Sequence, residues 1–211
     1  MTNSCEKGRS MIEMLGVLAI VGVLSVGGIA GYSKAMGKYK ANQLLNQVAE
    51  LTMNIRTLYF HQNEFTGLNE QVLMRAGLVP YTMMSAPVSA SNIIHIMGGK
   101  IRVFPSKGKY GKEDAFEIYA DKLSKEACIN IATTDWGADP ASGFISLYIG
   151  MSDAEIDAPQ MENISAPNHQ NPALGIYTTG THEHAIPLSP PEALTACACS
   201  SNNCIAGMKY Q

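Results

Sequence analysis

The sequence predicts an α+β fold, with one long N-terminal helix packed on a head of mostly antiparallel strands and small helices. Three observations carry this. No charged side chain lies between Glu13 and Lys34. Apolar residues then recur at helical spacing, at Leu44, Val48, Leu51, Ile55 and Leu58. Beyond Ile93, short alternating or β-rich segments replace the helical period.

The uncharged run from Met14 to Tyr32 has 19 residues. As a helix it is ~28 Å long, close to the ~30 Å hydrocarbon core of a bilayer. A core helix that is apolar on all sides needs a much larger protein than 211 residues, so a membrane span is favoured. A cleaved secretory signal has a shorter apolar region, ~7–15 residues, closed by a small-residue cleavage site. Here more helix follows instead. The steps of four, three, four and three from Leu44 to Leu58 draw one stripe. Lys38, Lys40, Asn42, Asn46, Glu50, Asn54 and Arg56 fill much of the remaining surface. No proline precedes Pro80, which predicts a single helix from about residue 10 to about residue 60, ~75 Å long. Gly16, Gly22, Gly27, Gly28 and Gly31 each cost about 1 kcal/mol of helix propensity relative to Ala. They fit close helix packing, or a bend at Gly27-Gly28. Glu13 stands at the mouth of the run, where interfacial water solvates a carboxylate that would cost ~3 kcal/mol at mid-bilayer.

The head follows in order. Residues 61–80 read as a loop and a short helix, with Asn69 as N-cap and Gly77 as C-cap before Pro80. Ile93–Met97 and Ile101–Phe104, joined through Gly98-Gly99, predict a hairpin. Lys107–Lys112 is a basic turn without the Walker spacing. Ala115–Ala120 alternates as a strand. Leu123–Ala132 is a helix opening at Ser124, with Cys128 on its buried side. Gly143–Gly150 is another strand, and 151–185 reads as a long surface excursion with little regular structure. Ser189–Cys197 is a last short helix with Ser as N-cap and prolines at its first positions, and Ile205–Tyr210 closes as a strand. The sheet has an evident use, which is to cover the stripe Leu44–Leu58.

Composition narrows function. With 46% hydrophobic and 16% charged residues the chain is not disordered. A net charge of −3 and a pI near 5.9 argue against bulk electrostatic binding to nucleic acid. His182-Glu-His184 is not HExxH, and two ligands at i, i+2 in a loop converge only by accident of backbone. Asp153, Glu155 and Asp157 lack the Gly and terminal Glu of an EF-hand. Cys197-Ala-Cys199 with Cys204 does not have zinc-finger spacing. No nucleophile–base arrangement and no nucleotide-binding glycine pattern occur, so neither enzymatic activity nor a cofactor or metal is expected. The five cysteines are an odd number for an exported chain.

The stretch Lys7-Gly8-Arg9-Ser10-Met11-Ile12-Glu13-Met14-Leu15-Gly16-Val17-Leu18-Ala19-Ile20 resembles the class III signal of type IV pilins. That signal is a short basic leader ending in Gly, a Glu at the fifth mature position, and about twenty apolar residues. The resemblance implies the pilin fold, with a leader at 1–8, an apolar transmembrane and filament-core helix at 9–32, and a head at 33–211 that includes the amphipathic helix 33–60. It implies cleavage after Gly8 by a prepilin peptidase and N-methylation of Arg9, which stands where the family usually has an apolar residue. Cys5 is then lost with the leader, leaving four cysteines.

The resemblance further implies a subunit held in the inner membrane of a Gram-negative bacterium, its head periplasmic. The inner-membrane assembly machinery would then polymerise it with its own copies into an extracellular pilus. There Glu13 would pair with the α-amino group of Arg9 of a neighbour. This orientation rests on the resemblance, because Lys34, Lys38 and Lys40 on the outer side run against the positive-inside rule. Adhesion, aggregation, or DNA and conjugative contact are the uses the family suggests, without sequence-specific nucleic-acid binding. The short helix after the long one resembles the αβ-loop of the type IVb subclass. That subclass joins a mid-chain helical cysteine to one near the C-terminus, which favours Cys128–Cys197 with Cys199–Cys204. Cys128–Cys199 with Cys197–Cys204 stays open. Two alternatives stand beside a pilin. One is a type II secretion pseudopilin, whose head tends to be smaller and often lacks that bridge. The other is an unprocessed membrane-anchored periplasmic binding protein or enzyme.

Overall fold

The structure is a computed structural model describing residues 11–84, 92–108, 111–137, 142–151, 156, 158–161, 175–178, 185–199 and 203–211. The chain divides into two compact units, Met1–Tyr39 and Lys40–Gln211. The first helix, α1, covers Met11–Leu58. It contains no proline and ends before a short turn, as its composition predicts.

In the second unit α1 buries Ala41, Leu44, Val48, Leu51 and Ile55. Each large side chain among them contributes about 1.5–3 kcal/mol by leaving water. Leu58, expected as the last residue of the stripe, is 38% exposed, and Tyr59 is buried in its place. The helix stops at Leu58, and the Tyr59 ring, one turn beyond Ile55, packs on Phe65 at 5.2 Å. Helix α2, Glu70–Arg75, starts at Asn69, whose side chain accepts from the Val72 N–H. It ends with Gly77 at φ 69°, a left-handed conformation that glycine adopts without strain. Leu78 N–H donates to Leu73 O and Gly77 N–H to Met74 O, the paired bonds of a Schellman cap.

Six strands form one antiparallel sheet in the order β1-β2-β3-β6-β4-β5. They are β1 Ile93–Ile94, β2 Lys100–Ser106, β3 Ala115–Leu123, β4 Phe144–Met151, β5 Ile176–Thr178 and β6 Cys204–Tyr210. The last strand in sequence therefore lies at the centre of the sheet. Helix α3, Lys125–Thr133, is capped by Ser124, which accepts from Ala127 N–H. Helix α4, Pro190–Ala196, starts at Ser189, whose N–H donates to Glu192. One face of the sheet carries Ile101, Val103, Phe116, Ile118, Leu147 and Met208 into a single core with α1, α2, α3 and α4.

The hairpin forms, but β1 stops at Ile94 rather than Met97. The chain turns back from His95, whose N–H bonds to Gly99 O at 3.0 Å. Gln47 on α1 fastens this turn by accepting from Ile96 N–H at 3.1 Å, which explains a buried glutamine. The outer edge of β2 is closed as well. Val103 N–H donates to the Glu70 carboxylate, and Pro105, the next residue of the same parity, has no N–H. At the basic turn, Gly108 N–H donates to Asp114, and Lys112 pairs with Glu64 at 3.7 Å in solvent. The 151–185 excursion departs from expectation, since it contributes β5 and the buried residues Ile156 and Met161.

His95 links this fold to pH. Its ring is buried, with Nδ1 accepting from Met97 N–H at 3.2 Å, so Nε2 carries the proton and donates to Asp121 O at 2.8 Å. Burial lowers its pKa below the ordinary ~6.5, against an opposing pull from Asp121. Between the two values the unfolded chain binds more protons, so stability is full above pH ~6.5 and falls as pH drops below it. Urea midpoints measured from pH 7.5 to 5 are expected to fall for the native chain and to flatten for His95→Gln. An equal slope in both removes His95 as the cause.

Candidate assembly segment and the stapled head

Along α1 every residue from Met11 to Ala35 is exposed. Met11, Ile12, Leu15, Leu18, Val23 and Val26 are each 64–85% exposed although apolar. The most apolar window has a mean hydropathy of 2.2, and none of it is buried within the chain. Water does not tolerate such a surface over many turns, and lipid or other apolar helices do. Glu13, the only acidic residue of α1 before Glu50, sits in its first turn, where the helix dipole favours a negative charge. Gly8 and Arg9, expected as the processing and pairing residues, lie outside the described residues.

The cysteines lie in the head. Cys128 on α3 bonds to Cys197 at the end of α4 with Cα atoms 5.9 Å apart, and Cys199 bonds to Cys204 at the start of β6. All four are buried. The bridges fasten α4 to α3 and tie the turn after α4 to the central strand. His182, His184, Asp153, Glu155 and Asp157 lie outside the described residues, and no metal-ligand cluster occurs among the described ones.

A second charged feature was not foreseen. Glu117 on β3 and Lys209 on β6 are cross-strand partners on the face away from α1, and both are fully buried. Lys209 Nζ lies 3.7 Å from Glu117 Oε1 and donates to Met161 O at 2.6 Å. Glu117 also accepts from Ser106 Oγ at 2.5 Å, from Tyr119 OH, and from Met161 N–H at 3.1 Å. Gln160 N–H donates to Tyr119 OH at 2.7 Å. Burial, followed by the Glu117 charge, raises the Tyr119 phenol far above its usual value, so it remains a donor. The Tyr119 ring lies across Gly207 of β6, where any Cβ would collide with it. The sheet thus grips both peptide groups of Met161, and its side chain fills a small second core with Ile156, Ile176 and Ile205.

The comparisons agree with this architecture. The Bundlin family model matches residues 34–211. The major structural subunits of the bundle-forming pilus of Escherichia coli O127:H6 (strain E2348/69 / EPEC) and of O111:H- are each 28% identical over 146 residues. Each match covers 68% of this chain and 72% of the relative. The crystal structure of TcpA, a type IV pilin of Vibrio cholerae El Tor biotype, superposes with a TM-score of 0.53 at 13% identity. It covers 83% of this chain and 99% of that one. The exposed apolar helix, the antiparallel head with its two bridges and these matches agree, and the chain belongs to the Bundlin family, a type IV pilin and not an enzyme.

Proposed function

We propose that the chain is the major structural subunit of a bundle-forming pilus, as its E. coli relatives are named. It is made with a leader at residues 1–8, held in the inner membrane by its apolar helix with the head in the periplasm, and cleaved after Gly8 by a prepilin peptidase. The new N-terminus, Arg9, is methylated. The assembly machinery then stacks the subunits, and their apolar helices leave lipid for one another. The observation that supports this best is the unbroken exposed apolar surface from Met11, with Glu13 near its start. Inside a filament a carboxylate needs a partner, and the α-amino group of Arg9 on a neighbour supplies one and sets the axial register. Adhesion and aggregation through bundled filaments follow as uses.

Two measurements test it. Mass spectrometry of the mature chain is expected to give an N-terminus at methylated Arg9 and a mass four hydrogens lower for two disulfides. A chain beginning at Met1 overturns the processing step. Glu13→Val is expected to leave cleavage intact and to abolish filaments. Normal pili from that variant in electron micrographs remove the pairing role.

A further inference from the structure

We propose that Lys34 and Lys38, with Tyr32 and Tyr39, form an anchor for the phosphate groups of anionic phospholipid in the leaflet where the apolar run ends. This rests on the membrane placement proposed above. Tyr32 closes the uncharged run, Lys34 follows two residues on and Lys38 six residues on. Along a helix their Cα atoms lie ~3 and ~9 Å beyond the run. The headgroup layer is ~5–8 Å thick on each side of the hydrocarbon, and a lysine stem reaches back along the helix to place its ammonium within it.

All four residues are exposed. Neither lysine has a carboxylate partner on its own helix, whose acidic residues are Glu13 and Glu50. No salt bridge among the described residues includes either lysine. Carrying such cations to the outer side opposes the usual charge rule for membrane insertion, and a phosphate in that leaflet compensates them.

The arrangement favours lipid over a protein partner. Lys34 and Lys38, four apart, share one flank of the helix, while Tyr32 and Tyr39, seven apart, share another. A protein docking on one flank accounts for one pair. A headgroup layer surrounds the helix and accounts for both, because phenol rings settle at the same depth.

The test uses the full chain in neutral detergent micelles with equimolar phosphatidylglycerol and phosphatidylcholine, read by native mass spectrometry. Phosphatidylglycerol is expected to be retained about 25-fold more, about fivefold for each lysine. K34Q/K38Q is expected to remove the preference that these two lysines supply, leaving only what Lys40 adds, and K34R/K38R to keep it. Equal retention by the native chain overturns the anchor. So does an unchanged preference in K34Q/K38Q, and if that variant also loses filaments, the lysines serve a neighbouring subunit. Flotation with pure phosphatidylcholine vesicles reads membrane placement separately. A native chain that does not float overturns the placement and the anchor together, and one that floats without lipid preference overturns the anchor alone.

Discussion

Lys209→Ala is expected to lower the unfolding free energy of the head by about 3–5 kcal/mol, among the largest effects of any single change in it. The substitution leaves the Glu117 charge fully buried on the sheet without its cation, and it strips Met161 O of a donor at 2.6 Å. The contrast lies in the double variant. Glu117→Met with Lys209→Met removes both charges, so neither is left unpaired, and it is expected to recover part of the loss. It does not recover all of it, because Met161 N–H, Tyr119 OH and Ser106 Oγ also lose the acceptor they share. At about 1 kcal/mol for each hydrogen bond, the simplest relief is for residues 158–161 to leave the sheet and take water instead. Urea denaturation measures the first effect, and limited proteolysis between residues 152 and 175 measures the second. A Lys209→Ala chain within 1 kcal/mol of the native one means that water already reaches the pair. A double variant as protease-resistant as the native chain means that Met161 is held by its apolar contacts alone.

This network also marks where the sequence stops being legible. The stripe on α1, the caps at Asn69 and Ser124, the Gly98-Gly99 hairpin and buried Cys128 were readable because each depends on neighbours within a few positions. The alternation of Ala115–Ala120 correctly separates Phe116 and Ile118 from Glu117 and Tyr119. Alternation, however, says only that two faces differ. It does not say that the face carrying Glu117 is covered, and that cover comes from residues more than forty positions downstream. The opposed charges Glu117 and Lys209 were a possible clue, but their register depends on β6 entering the middle of the sheet. Strand β5 was invisible for a related reason. Three residues between turn-forming segments carry no period, and Ile176–Thr178 is a strand only because β4 offers it an edge. In the assembly segment, the apolar run was legible from composition, while the roles of Gly8, Arg9 and Glu13 rest on the family signal alone.

The two disulfides are expected to differ in worth by about a factor of two, and the larger effect decides whether the head survives export. Cys128 and Cys197 are 69 positions apart, whereas Cys199 and Cys204 are five apart. Confining the unfolded chain by a loop of the first size is worth roughly 4 kcal/mol, and by the second roughly 2 kcal/mol. Cys128→Ala with Cys197→Ala is therefore expected to remove much of a typical reserve of about 5–15 kcal/mol. Structure points the same way. Helix α4 has seven residues and buries only Ala193, so without the bridge little holds it against α3. Its release would also uncover the C-terminal approach to β6, the strand on which both β3 and β4 depend. The Cys199–Cys204 pair closes only a five-position span beside the sheet, so Cys199→Ala with Cys204→Ala is expected to leave the head folded and modestly less stable. Thermal unfolding of the two double variants under non-reducing conditions, with protease mapping of residues 185–199, separates them. Equal losses would mean that the long bridge acts through local geometry rather than by restraining the unfolded chain. A larger loss for the short bridge would mean that the entry of β6, rather than the docking of α4, is what the cysteines secure.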